Sequence, residues 1–221
     1  PQRVTRLRVQ WQSGVVTAIG LAIIASHNLL DGREPAGTLW SILHTGKPIL
    51  LAPGMLFVPA YPLLPWIGVI AAGYGLGAVL VRPPEARRRW LLTTGAALIL
   101  GFVVLRATNL YGDPRPWVPQ GSALRTVLSF VNTTKYPPSL LYLMMTLGPA
   151  LIALAAADRV LARVLPALAT FGRVPLFFYV LHIPLIHGLA VVIALAGTGH
   201  AEALFANTFL FARPAGYGFG L

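Results

Sequence analysis

Five long apolar stretches alternate with polar connectors along the chain, at 11–30, 62–81, 90–110, 137–157 and 174–196. Four of them contain no Asp, Glu, Lys or Arg, and the third contains only Arg106, near its end. A helix needs about 20 apolar residues to cross the hydrocarbon of a bilayer. Backbone polar groups in lipid must be bonded within the segment, so stretches of this length read as helices. The alternation of a lipid-facing barrel strand is absent. The pattern predicts an all-α, polytopic transmembrane helical bundle forming one membrane-embedded domain over 1–221. Two other runs are too short to span. That at 49–60, interrupted by Pro53 and Pro59, reads as interfacial or re-entrant, and that at 203–212 as lying along the surface.

Composition agrees with this pattern. Only 10% of the 221 residues are charged and 56% are hydrophobic, with a mean hydropathy of +0.72. A soluble domain carries about 25% charged residues, so a soluble fold is excluded, and the apolar content excludes disorder. The net charge of +11 would suggest nucleic acid in a soluble protein. Here it lies mostly in connectors, where it acts as a topology determinant facing the cytoplasm and anionic lipid. The absence of cysteine excludes disulfides, thiolate metal sites and a cysteine nucleophile.

Five spans divide the connectors between two sides. One side holds Arg3, Arg6, Arg8, Arg82, Arg87, Arg88, Arg89, Arg159, Arg163 and Arg173 against Glu85 and Asp158. The other holds Arg33, Lys47, Arg106, Arg115, Arg125, Lys135 and Arg213 against Asp31, Glu34, Asp113 and Glu202. The first side is more basic and its loops are shorter, so it is expected in the cytoplasm. The connectors 31–61 and 111–136 and the residues from 197 onward then face outward. Trp40, Trp66, Trp90 and Trp117 fall near span ends or in outer loops, where amphipathic rings prefer the headgroup level. Gly73 and Gly77, four apart, are expected to allow close helix contact. Both ends of the chain read as cut, so a piece of a larger membrane protein is expected.

Polar groups at membrane depth are costly, which makes their placement informative. In the fifth span, Tyr179 and His182 are three residues apart on one face. Pro184 removes a bond to the Val180 carbonyl and is expected to kink the helix beside His182. His182 can relay a proton or simply bond a neighbouring helix, and His187 lies nearer the outer surface. Lys135, one short turn after Asn132, sits where the chain meets the hydrocarbon. It can neutralise an anionic group, pair a carboxylate or snorkel. Arg106, one turn before Asn109, needs a partner, either Asp113 or a bound anion. His27 and Asp31 are four apart and share a helical face, either as an acid–base pair or as a helix-end hydrogen bond. His44 lies in an outer loop and is expected to be solvated. No metal motif is present among these residues.

Several strings converge on a known family. They are His27-Asn28-Leu29-Leu30-Asp31-Gly32, Ala60-Tyr61-Pro62-Leu63-Leu64-Pro65-Trp66-Ile67-Gly68, and Tyr111-Gly112-Asp113-Pro114. Two more are Asn132-Thr133-Thr134-Lys135-Tyr136-Pro137-Pro138-Ser139-Leu140 and Gly172-Arg173-Val174-Pro175-Leu176-Phe177-Phe178-Tyr179-Val180-Leu181-His182. Together they resemble the bacterial membrane family related to heparan-alpha-glucosaminide N-acetyltransferase, and specifically the later part of a member. The resemblance implies a multi-span enzyme of the plasma (inner) membrane that takes acetyl from cytoplasmic acetyl-CoA and delivers it to an amino sugar on the outer side.

On that reading His182 is the candidate catalytic residue. Lys135, Asn132, Arg106, Asn109, Tyr179, His27 and Asp31 are candidate substrate-binding residues along a polar path between spans. Arg173, Arg87 and Arg88 are candidate contacts for CoA phosphates, which suit arginine forks. The donor is acetyl-CoA and no metal is expected. The partners are membrane lipid, the acyl donor and a glycan-type acceptor, with a homo-oligomer open and no nucleic acid. The alternative is a transporter or flippase of a small polar or glycan-linked substrate, without acyl chemistry.

Overall fold

The computed structural model describes residues 2–33, 37–53, 55–160, 169–170 and 172–205. Helix α1 (Gln2–Ser26) tightens into a 3-10 turn (His27–Leu30). A short α2 (Thr38–Trp40) runs into a π turn (Ser41–Thr45), followed by the strands β1 (Ile49–Ala52) and β2 (Met55–Phe57). Then come α3 (Leu63–Leu80), α4 (Pro84–Thr108), α5 (Ala123–Val131), α6 (Leu140–Val160), α7 (Pro175–Thr198) and a 3-10 turn at Glu202–Leu204. Among the described residues the fold is all-α apart from the one hairpin. Among them, five helices are long and apolar enough to cross a membrane, at Gln12–Leu30, Leu63–Leu80, Pro84–Thr108, Leu140–Ala157 and Pro175–Gly197. The chain is a multi-pass membrane protein.

Local chemistry sets the boundaries that differ from the expected ones. Pro84 occupies the first turn of α4 with Glu85 beside it, where a missing N–H costs nothing and a negative charge meets the positive helix end. The fourth span starts later than expected because Ser139 caps it. Its hydroxyl accepts the Tyr142 N–H at 3.0 Å and its carbonyl accepts the Leu143 N–H at 3.0 Å, as N-caps do. Before the cap, the chain passes through a cis Tyr136–Pro137 bond. Helix α7 continues through Pro184 rather than ending there.

Two elements were not legible as such. The run at 49–60 contains an antiparallel hairpin pairing Ile49 with Phe57 and Leu50 with Leu56. Its free edges suit the headgroup region, since lipid cannot satisfy them. Helix α5 lies inside the connector 111–136, for which the sequence pattern predicts no helix. Leu124, Val127, Leu128 and Val131 form an exposed apolar stripe on it at helical spacing.

The described chain divides into two compact units, Pro1–Val160 and Leu161–Leu221. In the first, α1 packs on α3 and α4 packs on α6. Glycines permit both approaches. A Cβ at Gly20 would lie 2.7 Å from the Gly68 carbonyl oxygen, and one at Gly95 would lie 2.8 Å from that of Gly148. Gly75 meets Thr17, whereas Gly73 and Gly77, expected at the contact, face open space. Between the two pairs lies a cavity of about 480 Å³, lined by residues such as Leu21, Ile24, Leu76, Leu98 and Leu147, with Thr94 and Trp90 its only polar-tipped side chains. In the second unit, α7 packs its Ala194 against Ala201 and Leu204. Arg163, Arg213 and most of the run at 203–212 lie outside the described residues.

Candidate functional site

The two long connectors of the first unit meet at one end of the bundle, where they form two polar clusters. The first is built on the end of α1. A regular helix would place His27 beside Asp31. The change to 3-10 geometry, with three residues per turn, instead eclipses positions three apart. Asn28 therefore reaches Asp31, donating from Nδ2 to Oδ2 at 2.7 Å. The His27–Asp31 pairing expected from spacing is replaced by one between Asn28 and Asp31. The Asn28 carbonyl oxygen Oδ1 accepts the Leu140 N–H at 2.9 Å, tying α1 to α6. The Tyr111 hydroxyl donates to the Ala25 carbonyl.

The second partner of Asp31 is His44, whose Nε2 lies 3.2 Å from Oδ1. His44 was expected in a solvated loop but is only 2% exposed. The π turn carries it inward, and Gly46 closes that turn at φ +68°, donating to the Ser41 carbonyl at 2.8 Å. A side chain at Gly46 would be strained there and would sit 3.2 Å from Pro62. The ring of His44 stands 5.9 Å from that of His27, edge to face, and 5.2 Å from Trp40. His27 is 1% exposed. Both of its ring nitrogens, and Nδ1 of His44, are buried with no hydrogen-bond partner.

Asp31 lies just past the span. Burial alone would raise its carboxyl, but the hydrogen bonds from His44 and Asn28 and the neighbouring imidazoles outweigh that and hold it below its ordinary value. Tyr111 is pushed up, by burial first and then by the Asp31 charge. A carboxylate facing Nε2 of His44 fixes the proton there and leaves Nδ1 as an acceptor. This is the geometry of an oriented general base.

The second cluster surrounds Arg106. Its Nε donates to the Phe130 carbonyl at 2.9 Å and Nη1 to that of Arg115 at 2.8 Å. Nη2 donates to the carbonyls of Asn132 at 2.9 Å and Ser129 at 3.2 Å. Arg106 thus caps the C-terminus of α5, where unpaired carbonyls and the helix dipole favour a cation. Asp113 lies 3.9 Å from Nη1. It accepts from the Thr134 N–H and the Ser139 hydroxyl at 2.7 Å each, and from the Arg115 N–H and the Thr134 hydroxyl at 2.9 Å each. Of the two partners expected for Arg106, Asp113 is near, but the main bonds go to carbonyls. Asn109 ends α4 at φ 51° and exchanges hydrogen bonds with the Trp117 backbone at 2.9 and 3.0 Å.

The other candidates are dispersed. Lys135 is exposed, with Nζ 5.1 Å from the Tyr136 ring centre. The Tyr136 ring packs on Tyr61, and Tyr61 on Trp66, at 5.7 and 6.1 Å. Hydrogen bonding with Tyr136 raises Lys135, and the same contact, with a second from Tyr61, lowers the Tyr136 phenol. The Asn132 side chain is exposed beside the Arg106 network. Arg87 donates to the Leu80 carbonyl at 3.3 Å, at the end of α3, while Nε of Arg88 is buried without a partner. In the second unit, His182 is half-buried, with Nδ1 3.1 Å from the Phe178 carbonyl. Its ring stacks on Phe178 at 5.4 Å and lies 5.3 Å from Tyr179. Arg173 is exposed.

Sequence reasoning missed His44, Asn28 and Tyr111 as members of one site. No local pattern signals a π turn or a contact across 86 positions.

No family model, no curated protein and no solved structure matches this chain.

Proposed function

We propose that the chain is part of a membrane acyltransferase that moves acetyl from cytoplasmic acetyl-CoA to an amino sugar or related acceptor on the outer side of the bacterial plasma (inner) membrane. The observation that carries this reading is the pair of buried imidazoles with three unpartnered ring nitrogens, one imidazole oriented by Asp31. Desolvated nitrogens without partners cost about 1–3 kcal/mol each, and a bound acceptor would relieve that cost. The five strings resembling the N-acetyltransferase family supply the acetyl chemistry.

In the step proposed, a nucleophile of the protein on the cytoplasmic side takes the acetyl group from CoA, the C–S bond breaks, and the departing thiolate takes the proton that nucleophile gives up. The acetyl group is carried outward on that nucleophile, where the acceptor amine attacks its carbonyl. The new C–N bond forms as the bond to the carrier breaks, and Nδ1 of His44 or a nitrogen of His27 takes the amine proton and returns it to the carrier, giving amide and free thiol. Asp31 stabilises the imidazolium in between. His182 has one nitrogen engaged by the Phe178 carbonyl, which leaves Nε2 as its working atom. The acid–base role proposed for it passes to the His27–His44 pair. Arg87, Arg88 and Arg173 remain the proposed contacts for CoA phosphates. Lys135 on its ring of aromatics is the proposed cation for an acidic acceptor.

The test uses the full-length protein in nanodiscs with labelled acetyl-CoA and glucosamine. Label should appear as an amide. His44→Ala should lower turnover by about 100-fold or more, as loss of a general base does. Uptake of an unmodified sugar into proteoliposomes, with no amide formed, would favour the carrier reading instead.

A further inference from the structure

The cavity between the α1–α3 and α4–α6 pairs runs along α4 from Trp90 to Leu105, about 22 Å at 1.5 Å per residue. Its volume of about 480 Å³, spread over that length, leaves a section of roughly 20 Å². A helix with its side chains is about 10–12 Å across and does not fit. A single extended hydrocarbon chain does, and apart from Thr94 and Trp90 the walls offer such a chain only apolar contact.

The slot ends beside the polar cluster. Ala25 and Leu140 line its end. The Ala25 carbonyl holds the Tyr111 hydroxyl, and the Leu140 N–H is held by Asn28. Along α1, Leu21, Ile24 and Ala25 form the wall, and the 3-10 turn that carries His27 and Asn28 follows directly. An apolar groove that stops at Ala25 and Leu140, beside buried, unpartnered imidazole nitrogens, points to two chemistries in one ligand.

We infer that the slot takes the single alkyl or isoprenoid chain of an amphiphilic acceptor, whose amine-bearing polar head lies at His27, His44 and Asp31. This rests on the reading of that cluster as the transfer site and gives the acceptor its class: a lipid-linked amino sugar rather than a free one. The slot anchors that acceptor from the membrane.

The experiment has two arms, both on the full-length protein in nanodiscs. In the first, dodecyl β-glucosaminide carrying a diazirine at mid-chain is photolysed and the labelled peptides are mapped. Label should fall on α3, α4 and α6 at positions such as Leu76, Leu98 and Met144, and an excess of unlabelled dodecyl glucosaminide should displace it. Both Leu98→Trp and Leu76→Trp, which fill the slot from opposite walls, should each reduce it at least fivefold. Labelling spread over outward positions such as Ile70 and Leu100 would overturn the inference. So would labelling that excess ligand fails to displace, the mark of bulk phospholipid, or crosslinks from the slot to 175–198. In the second arm, KM for dodecyl glucosaminide should be at least tenfold below that for glucosamine, and Leu98→Trp should collapse that ratio. Equal KM values with both acceptors acetylated would overturn the inference alone. If neither is acetylated, the transfer reading fails, and the mapping arm still decides whether the slot holds a chain.

Discussion

The Arg106 and His27 clusters sit at the same end of one bundle and are equally buried, yet their polar atoms fare differently. Arg106 spends its donors on four carbonyls, and Asp113 accepts four hydrogen bonds while facing the guanidinium. His27 leaves both nitrogens unpaired, and His44 leaves one. A satisfied network rigidifies its surroundings, and a half-satisfied one is a cost that packing alone does not justify. The first cluster fastens connector 111–136 to the helices, and the second keeps three ring nitrogens in reserve.

The largest break in that contrast is Arg106→Ala. It strips four carbonyls of their donor and leaves Asp113 a buried, uncompensated charge, a loss of about 3–5 kcal/mol. Thermal unfolding in detergent should show it. Arg106→Lys should recover little, because a point charge cannot reproduce the fork.

His27→Phe sharpens the contrast from the other side. Removing two unpaired nitrogens should raise stability by about 1–3 kcal/mol, the rest of the gain being offset by fitting a larger ring, while acetyl transfer is lost. A stability loss as large as that of Arg106→Ala would make His27 a structural residue.

A smaller effect is expected from acid. The folded-state pKa of Asp31 is depressed, so its carboxylate stabilises the fold. That contribution is complete above the unfolded value, near pH 4, and is lost as pH falls through the lower folded value. Unfolding followed from pH 6 down to pH 3 should show a weaker acid dependence in Asp31→Asn than in the parent.

The smallest effect belongs to the exposed rim. Lys135→Ala should leave stability unchanged but move the Tyr136 phenol upward in an absorbance titration, because the ammonium group that lowers it is gone.

The membrane class and the five apolar spans of the described residues were legible in the sequence, though not all of their bounds, since each span depends on a run of residues and the cost of exposing backbone to lipid. Pairing in space was not. Spacing pointed to His27 with Asp31 and to a solvated His44, because an ideal helix was continued through residues that tighten into a 3-10 turn. Arg106 was read correctly as needing partners, but carbonyls at the end of an unforeseen helix leave no trace in composition. Gly73 and Gly77 had the right spacing on the wrong face, while Gly20 and Gly68 carried the contact. Periodicity reports which residues share a side, and only the packed helices decide which side meets another and which polar atoms are left without a partner.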